Sequence, residues 1–126
     1  MAPSAGNEWV ELHNPSGAPV DLTGLYVDDV AGGGGAPKAI PAGTVVPAGG
    51  RWVFEVASGF FNNTGSESAR LLSSNDAGAT VYDEFTWSLG STKYDQVFHR
   101  TGDGGEWCGT ISANVTKGTP NPVTCP

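Results

Sequence analysis

Nineteen glycines and nine prolines are spread through this 126-residue chain, and they fall between short apolar runs rather than in one tract. Glycine and proline end helices and central strands alike, so a chain cut this often can build only short elements joined by turns. Hydrophobic residues make up 38% and charged residues 15%, a charge content low for a helical protein. The punctuation therefore favours many short β-strands over long helices, collagen-like repeats or disorder. The length allows one domain with a single modest core.

Alternation of apolar and polar residues, the strand period, recurs along the whole chain, and helical periodicity is nearly absent. Residues 8–14 read as a first strand, with Val10 and Leu12 inward and Trp9, Glu11 and His13 on the other face, stopped by Asn14-Pro15. Val20 with Leu22, and then Leu25 with Val27, continue the pattern. Residues 32–35 are four glycines and read as a loop. Ile40-Pro41 and Val45-Val46 flank a turn at Gly43. Residues 51–57 carry apolar side chains on both faces, Trp52, Phe54 and Val56 on one and Val53 on the other, which predicts a central, mostly buried strand. Residues 70–73 and 79–87 flank Asn75-Asp76-Ala77-Gly78 as a hairpin, with Gly78 suited to positive φ and with Val81 and Phe85 facing the core. Residues 94–99 and 110–113 supply last strands around a glycine-rich turn at 102–105. The expected fold is all-β, an antiparallel sandwich of eight or nine short strands.

Net charge is −7, and the six Lys and Arg residues are scattered. Nucleic-acid binding leans on clustered cations that neutralise phosphates, so DNA and RNA are not expected partners, nor is an anionic membrane surface. No stretch approaches the roughly 20 apolar residues of a membrane helix. No basic region followed by an apolar leader is present in the sequence either. Cys108 and Cys125 are too few for a zinc site without His13 or His99, and neither histidine has ligand spacing to them. A disulfide between them is the expectation, and it implies an oxidising compartment.

Several groups of residues carry chemistry on paper. Glu11 beside His13 resembles the start of a metal or acid/base site, but no third ligand or nucleophile accompanies them, so the wet face of a strand is the expected reading. Calcium favours clustered carboxylates, and Asp103 with Glu106 is the loop most suited to it, although no ligand-loop spacing matches. Otherwise no metal or cofactor is expected. No Gly-x-Ser-x-Gly stands in the sequence, and no serine is placed against a histidine in a strand-turn-helix context, so no catalytic residues are expected. Trp87, Trp107 and Tyr94 are the candidates for an aromatic binding surface, and Trp52 is expected in the core.

The ordered set of motifs resembles a known family. Glu8-Trp9-Val10-Glu11-Leu12, Asn14-Pro15 and Val20-Asp21-Leu22-Thr23-Gly24-Leu25 are similar to the opening signature of lamin tail domains. Ile40-Pro41-Ala42-Gly43-Thr44, Pro47-Ala48-Gly49-Gly50, Asp76-Ala77-Gly78 and Val81-Tyr82-Asp83 follow in the family's order. His99-Arg100, Asp103-Gly104, Trp107 and Gly118-Thr119-Pro120-Asn121 are similar to its closing segments, so the resemblance runs from about residue 8 to residue 121. It departs at residues 97–101, which differ from the family's usual glycine-arginine run. The family's hydrophobic strand upstream of the Glu-Trp segment also has no counterpart in residues 1–6.

The resemblance implies an immunoglobulin-like β-sandwich. In animals the family forms the globular tail of nuclear intermediate-filament proteins. In bacteria and archaea it is a module of secreted or surface proteins, often beside hydrolases, and the cysteines and acidity fit that branch. The expectation is a non-catalytic extracellular or cell-surface interaction or structural module, self-assembling or receiving a strand through an open sheet edge. The alternative is a carbohydrate-binding accessory module of a secreted hydrolase.

Overall fold

The computed structural model describes residues 7–31 and 36–126. The glycine loop at 32–35, and any chain covering the edge ahead of Glu8, lie outside the described residues. Among the described residues the fold is all-β and antiparallel, with no helix long and apolar enough to cross a membrane.

Eight strands follow in order: β1 (Glu8–His13), β2 (Val20–Asp21), β3 (Tyr26–Asp28), β4 (Lys38–Ala39), β5 (Val45–Val46), β6 (Arg51–Val56), β7 (Gly65–Leu72) and β8 (Val81–Leu89). They form pairs β1–β6 and β2–β5 and a four-stranded sheet in the order β4-β3-β7-β8. Leu22, Val27, Ile40 and Val46 are the buried centre, drawn from β3, β5 and the loops between strands. Val10 and Leu12 of β1, Trp52 and Phe54 of β6, and Leu71 of β7 pack against it. The alternation read from residues 8–14 thus points Val10 and Leu12 inward as expected, and Trp52 joins the core as expected. Asn14 ends β1 as a buried connector. Its amide nitrogen donates to the carbonyls of Ala18 (2.8 Å) and Val46 (3.0 Å), and its side-chain oxygen accepts from the Ser16 N–H.

Four expectations are corrected. β6 is not central, because among the described strands it pairs only with β1, and its side chains are mostly half-buried. Its second apolar face has another explanation, since the C-terminal segment lies against it, with the Lys117 ammonium bonded to Glu55 and set 5.5 Å from the Trp9 ring. Residues 94–99 and 110–113 do not form strands; they meet only at the bridge Val97↔Ser112. Asp95 sits at φ 53°, in the left-handed region, which breaks an extended run at its start. The 70–73/79–87 hairpin is present as β7–β8, closed by the Ser73 N–H on the Thr80 carbonyl, but Val81 is 41% exposed rather than in the core. A register shift between Leu71 and Leu72 falls at that end of the pair. Nor does Gly78 use positive φ; the Ala79 N–H closes the turn on the Asp76 carbonyl instead. The turn at 102–105 does need glycine, with Gly102 at φ 58° and Gly104 at φ 142°.

On the outer face of the four-stranded sheet, a row of charges crosses three strands. Asp28 of β3, Arg70 of β7 and Glu84 of β8 stand in register, and Arg70 bonds Asp28 at 3.0 Å and Glu84 at 2.6 Å. Burial pushes the Asp28 carboxyl above its usual range, against the opposing pull of the Asp29 N–H and Arg70. An acid whose folded value is raised contributes stability that is full below the unfolded value and is lost as pH rises through the folded one. Asp28→Asn is therefore expected to gain stability relative to the unsubstituted chain as pH rises through the carboxylate range. Urea midpoints at pH 3, 5 and 7 for both proteins check this; a constant difference would contradict it.

Candidate functional site: an aromatic cleft and a strapped face

The inward side of β8 carries Asp83, Phe85 and Trp87 at strand period, and the segment 98–107 folds back over them. Phe85 is the hub. It stacks on Trp107 with centroids 4.5 Å apart and planes 16° apart, meets Phe98 at 5.2 Å, and lies 6.1 Å from Trp87. Trp87 also meets Phe98 at 5.5 Å and Phe61 at 5.8 Å. Ring pairs at these distances attract beyond the area they bury. Yet Phe85, Trp87, Phe98 and Trp107 are all only half-buried. The cluster forms one wall of a cleft of about 790 Å³ that reaches Val10 and Leu12 of β1 on its far side.

Two polar features set the chemistry of that wall. The Arg100 guanidinium lies 4.8 Å from the Trp107 ring, its Nη2 donates to both Asp83 oxygens at 2.8 and 2.9 Å, and its Nη1 donates to the Gly105 carbonyl at 3.0 Å. This fixes the 100–107 bridge against β8 by an ion pair through one guanidinium nitrogen and a cation–π contact. In contrast, the indole nitrogens of Trp87 and Trp107 are buried with no hydrogen-bond partner. His99 is buried too. Its Nδ1 lies 2.8 Å from the Arg100 carbonyl, to which it can only donate, and its Nε2 is buried without a hydrogen-bond partner.

The structure brings together Trp87 and Trp107, expected from sequence as an aromatic surface, and leaves out Tyr94. That ring is 60% exposed, and among the described aromatic pairs it has none with this cluster. Phe85 and Phe98, which join the two tryptophans, were not anticipated as a wall; the alternation Phe85-Thr86-Trp87 was the available signal.

Trp9 and Glu11 meet the C-terminal segment, Trp9 through the Lys117 ammonium 5.5 Å from its ring. Glu11 accepts the Gly118 N–H at 2.6 Å, and His13 stands opposite Arg51 in the β1–β6 register. Lys117 holds the Glu55 carboxyl below its usual range by its hydrogen bond and charge. Asp103, expected in a calcium loop, is engaged by Arg51 and accepts the Asn121 N–H; Glu106 is exposed and not gathered with it. No group of three metal-ligating side chains occurs among the described residues. The Cys108–Cys125 disulfide, Cα–Cα 5.5 Å, anchors this strap at a buried Cys108.

Sequence reasoning missed two buried carboxylates. Glu8 accepts the N–H groups of Gly59 (3.2 Å) and Phe61 (2.7 Å), and Glu67 accepts those of Asn62 (2.7 Å) and Ser68 (3.0 Å). Together they hold the loop that delivers Phe61 to the aromatic cluster. Comparison with family models, with curated proteins and with solved structures found no match for this chain.

Proposed function

We propose that this chain is a non-catalytic module of a secreted or cell-surface protein, of the lamin-tail type with an immunoglobulin-like sandwich, that works by pairing sheet edges with a second copy of itself. The observation that carries this reading is the outer edge of β8. At nine residues it is the longest strand, it ends its sheet, and among the described strands it pairs only with β7. Proteins commonly guard such an edge with charge. Here the edge's two acids are already engaged within the chain, Asp83 by Arg100 and Glu84 by Arg70, while Val81 and Tyr82 stand exposed.

The strand is also compatible with itself. Antiparallel pairing of two copies centred on Phe85 sets Asp83 opposite Trp87 and Glu84 opposite Thr86, so no acid faces an acid. The disulfide supports placement in an oxidising compartment. Sedimentation equilibrium tests the reading. The unsubstituted chain is expected to show a monomer–dimer equilibrium that the double variant Tyr82→Lys/Ser88→Lys abolishes, while both proteins melt alike. A chain that stays monomeric at millimolar concentration contradicts it.

A further inference from the structure

We infer that β1 and the cleft beside it take up an extended segment of a partner protein, added as a strand to the outer edge of β1 with alternate apolar side chains turned into the cleft. The phase of the β1–β6 ladder shows which backbone groups would receive it. The Asn14 N–H bonds the Gly50 carbonyl at 3.0 Å, one step beyond the pair His13↔Arg51. Bonded and non-bonded pairs alternate along an antiparallel ladder. Leu12, Val10 and Glu8 therefore bond β6, and the N–H and C=O groups of Trp9, Glu11 and His13 point away from it. Among the described residues no backbone bond meets those groups, and β1 pairs with no strand but β6. The cleft of about 790 Å³ runs along the same edge, because its lining takes residues 9–13 in succession, from both faces of the strand. A pocket confined to one face would take every second residue.

The rest of the lining narrows the class of occupant. Val10, Leu12, Leu25 and Leu71, which pack on the core, make it apolar on one side, and Phe85 and Trp87 make it apolar on the other. Its charged groups are already engaged within the chain. Arg100 holds Asp83 and the Gly105 carbonyl, and Asp103 is taken by Arg51 and the Asn121 N–H. Asp21 accepts the Thr23 N–H, and Glu11 accepts the Gly118 N–H. Of the two histidines, His99 is bonded to the Arg100 carbonyl, and His13 lies on the polar face of β1 with Trp9 and Glu11. A small ion thus finds no unengaged counter-charge here, and a small apolar molecule would leave the backbone groups of the edge unmet. A strand answers both features, since its backbone continues the ladder and every second side chain enters the apolar cleft. The side chains that turn the other way fall beside Trp9, Glu11 and His13, on a chain of net charge −7, which favours basic residues there over acids. The partner segment is therefore alternating apolar and basic, matched to the six residues of β1.

The probe is an octapeptide of alternating valine and lysine, titrated into the unsubstituted chain at micromolar concentration and followed in its nitrogen–proton correlation spectrum. The backbone amide signals of Trp9, Glu11 and His13 are expected to shift saturably and to gain protection from exchange. An octapeptide of alternating valine and glutamate should bind about tenfold more weakly. The valine–lysine peptide methylated on every backbone nitrogen keeps its side chains but has no donors, and should not bind saturably. His13→Pro removes one outward donor and leaves the bonds to β6 in place, and is expected to weaken the peptide about tenfold, the value of one hydrogen bond. A thermal melt reads the folding of that variant, and the methylated peptide tests the same edge without any substitution. The inference is overturned by no saturable shift at millimolar peptide, by shifts confined to β8, by equal binding of the methylated peptide, or by equal binding of the glutamate peptide. β8 lends side chains to the cleft, so its self-association is read without peptide, through Tyr82→Lys/Ser88→Lys, and either result can fail while the other stands.

Discussion

Glu8→Ala is expected to lower unfolding stability by about 3 kcal/mol, read as a drop in urea midpoint at unchanged slope. Glu8 is 1% exposed, and its two oxygens receive the Gly59 and Phe61 N–H groups. Hydrogen bonds to a charged group contribute about 1.5–3 kcal/mol each, and alanine would leave both donors without an acceptor. Some relaxation of the loop toward water offsets part of that loss. Phe61 is itself buried and touches both Phe60 and Trp87, so the loosened loop should also disturb the ring cluster and weaken its near-ultraviolet dichroism. Glu8→Gln keeps one acceptor oxygen but turns an amide N–H₂ toward a donor, and should fall between the two. A loss below about 1 kcal/mol for Glu8→Ala would mean that the carboxylate is not what holds this loop.

Removing the disulfide is the second large effect. Opening the Cys108–Cys125 bond, by reductant or by Cys108→Ala/Cys125→Ala, is expected to cost about 3 kcal/mol. The figure follows from the chain entropy of a loop with a sequence separation of 17. The structural consequence is local. Lys117 on Glu55, Gly118 on Glu11 and Asn121 on Asp103 all lie in the segment that the bond closes, and none is a buried ion pair able to hold the strap unaided. Limited proteolysis should therefore cut after residue 113 in the reduced chain and spare the oxidised one. Equal urea midpoints with and without reductant, and equal resistance to protease, would contradict this account of the strap.

Much of the architecture was legible because it follows from period and punctuation. Val10, Leu12, Trp52 and Phe54 alternate strictly, and Asn14-Pro15 is a stop with a mechanism, so β1 and β6 were found almost to the residue. β7 was found only at its end. Its first half, Gly65-Ser66-Glu67-Ser68, is polar, and it becomes a strand through pairing with β8 rather than through its own apolar pattern. The buried carboxylates were invisible for a related reason. Glu8 and Glu67 answer backbone N–H groups of residues 59–62, and a backbone donor has no side-chain signature in sequence.

The site was half legible. Trp87 and Trp107 stand 20 positions apart, and nothing local says that a bridge at Arg100 and Trp107 will lay one ring near the other across Phe85. An open edge is expected from sequence beside the first strand, and among the described strands β1 pairs only with β6. The longer unpaired edge among the described strands is β8, at the far end of the four-stranded sheet.

That edge carries the central claim, and site-resolved amide hydrogen exchange tests it most directly. With the chain at micromolar and then at millimolar concentration, the amides of β8 that do not bond to β7 should become protected at the higher concentration, while the β1–β6 pair exchanges at the same rates in both. Exchange along β8 that is independent of concentration, or protection that rises at β1–β6 instead, would contradict pairing through this strand.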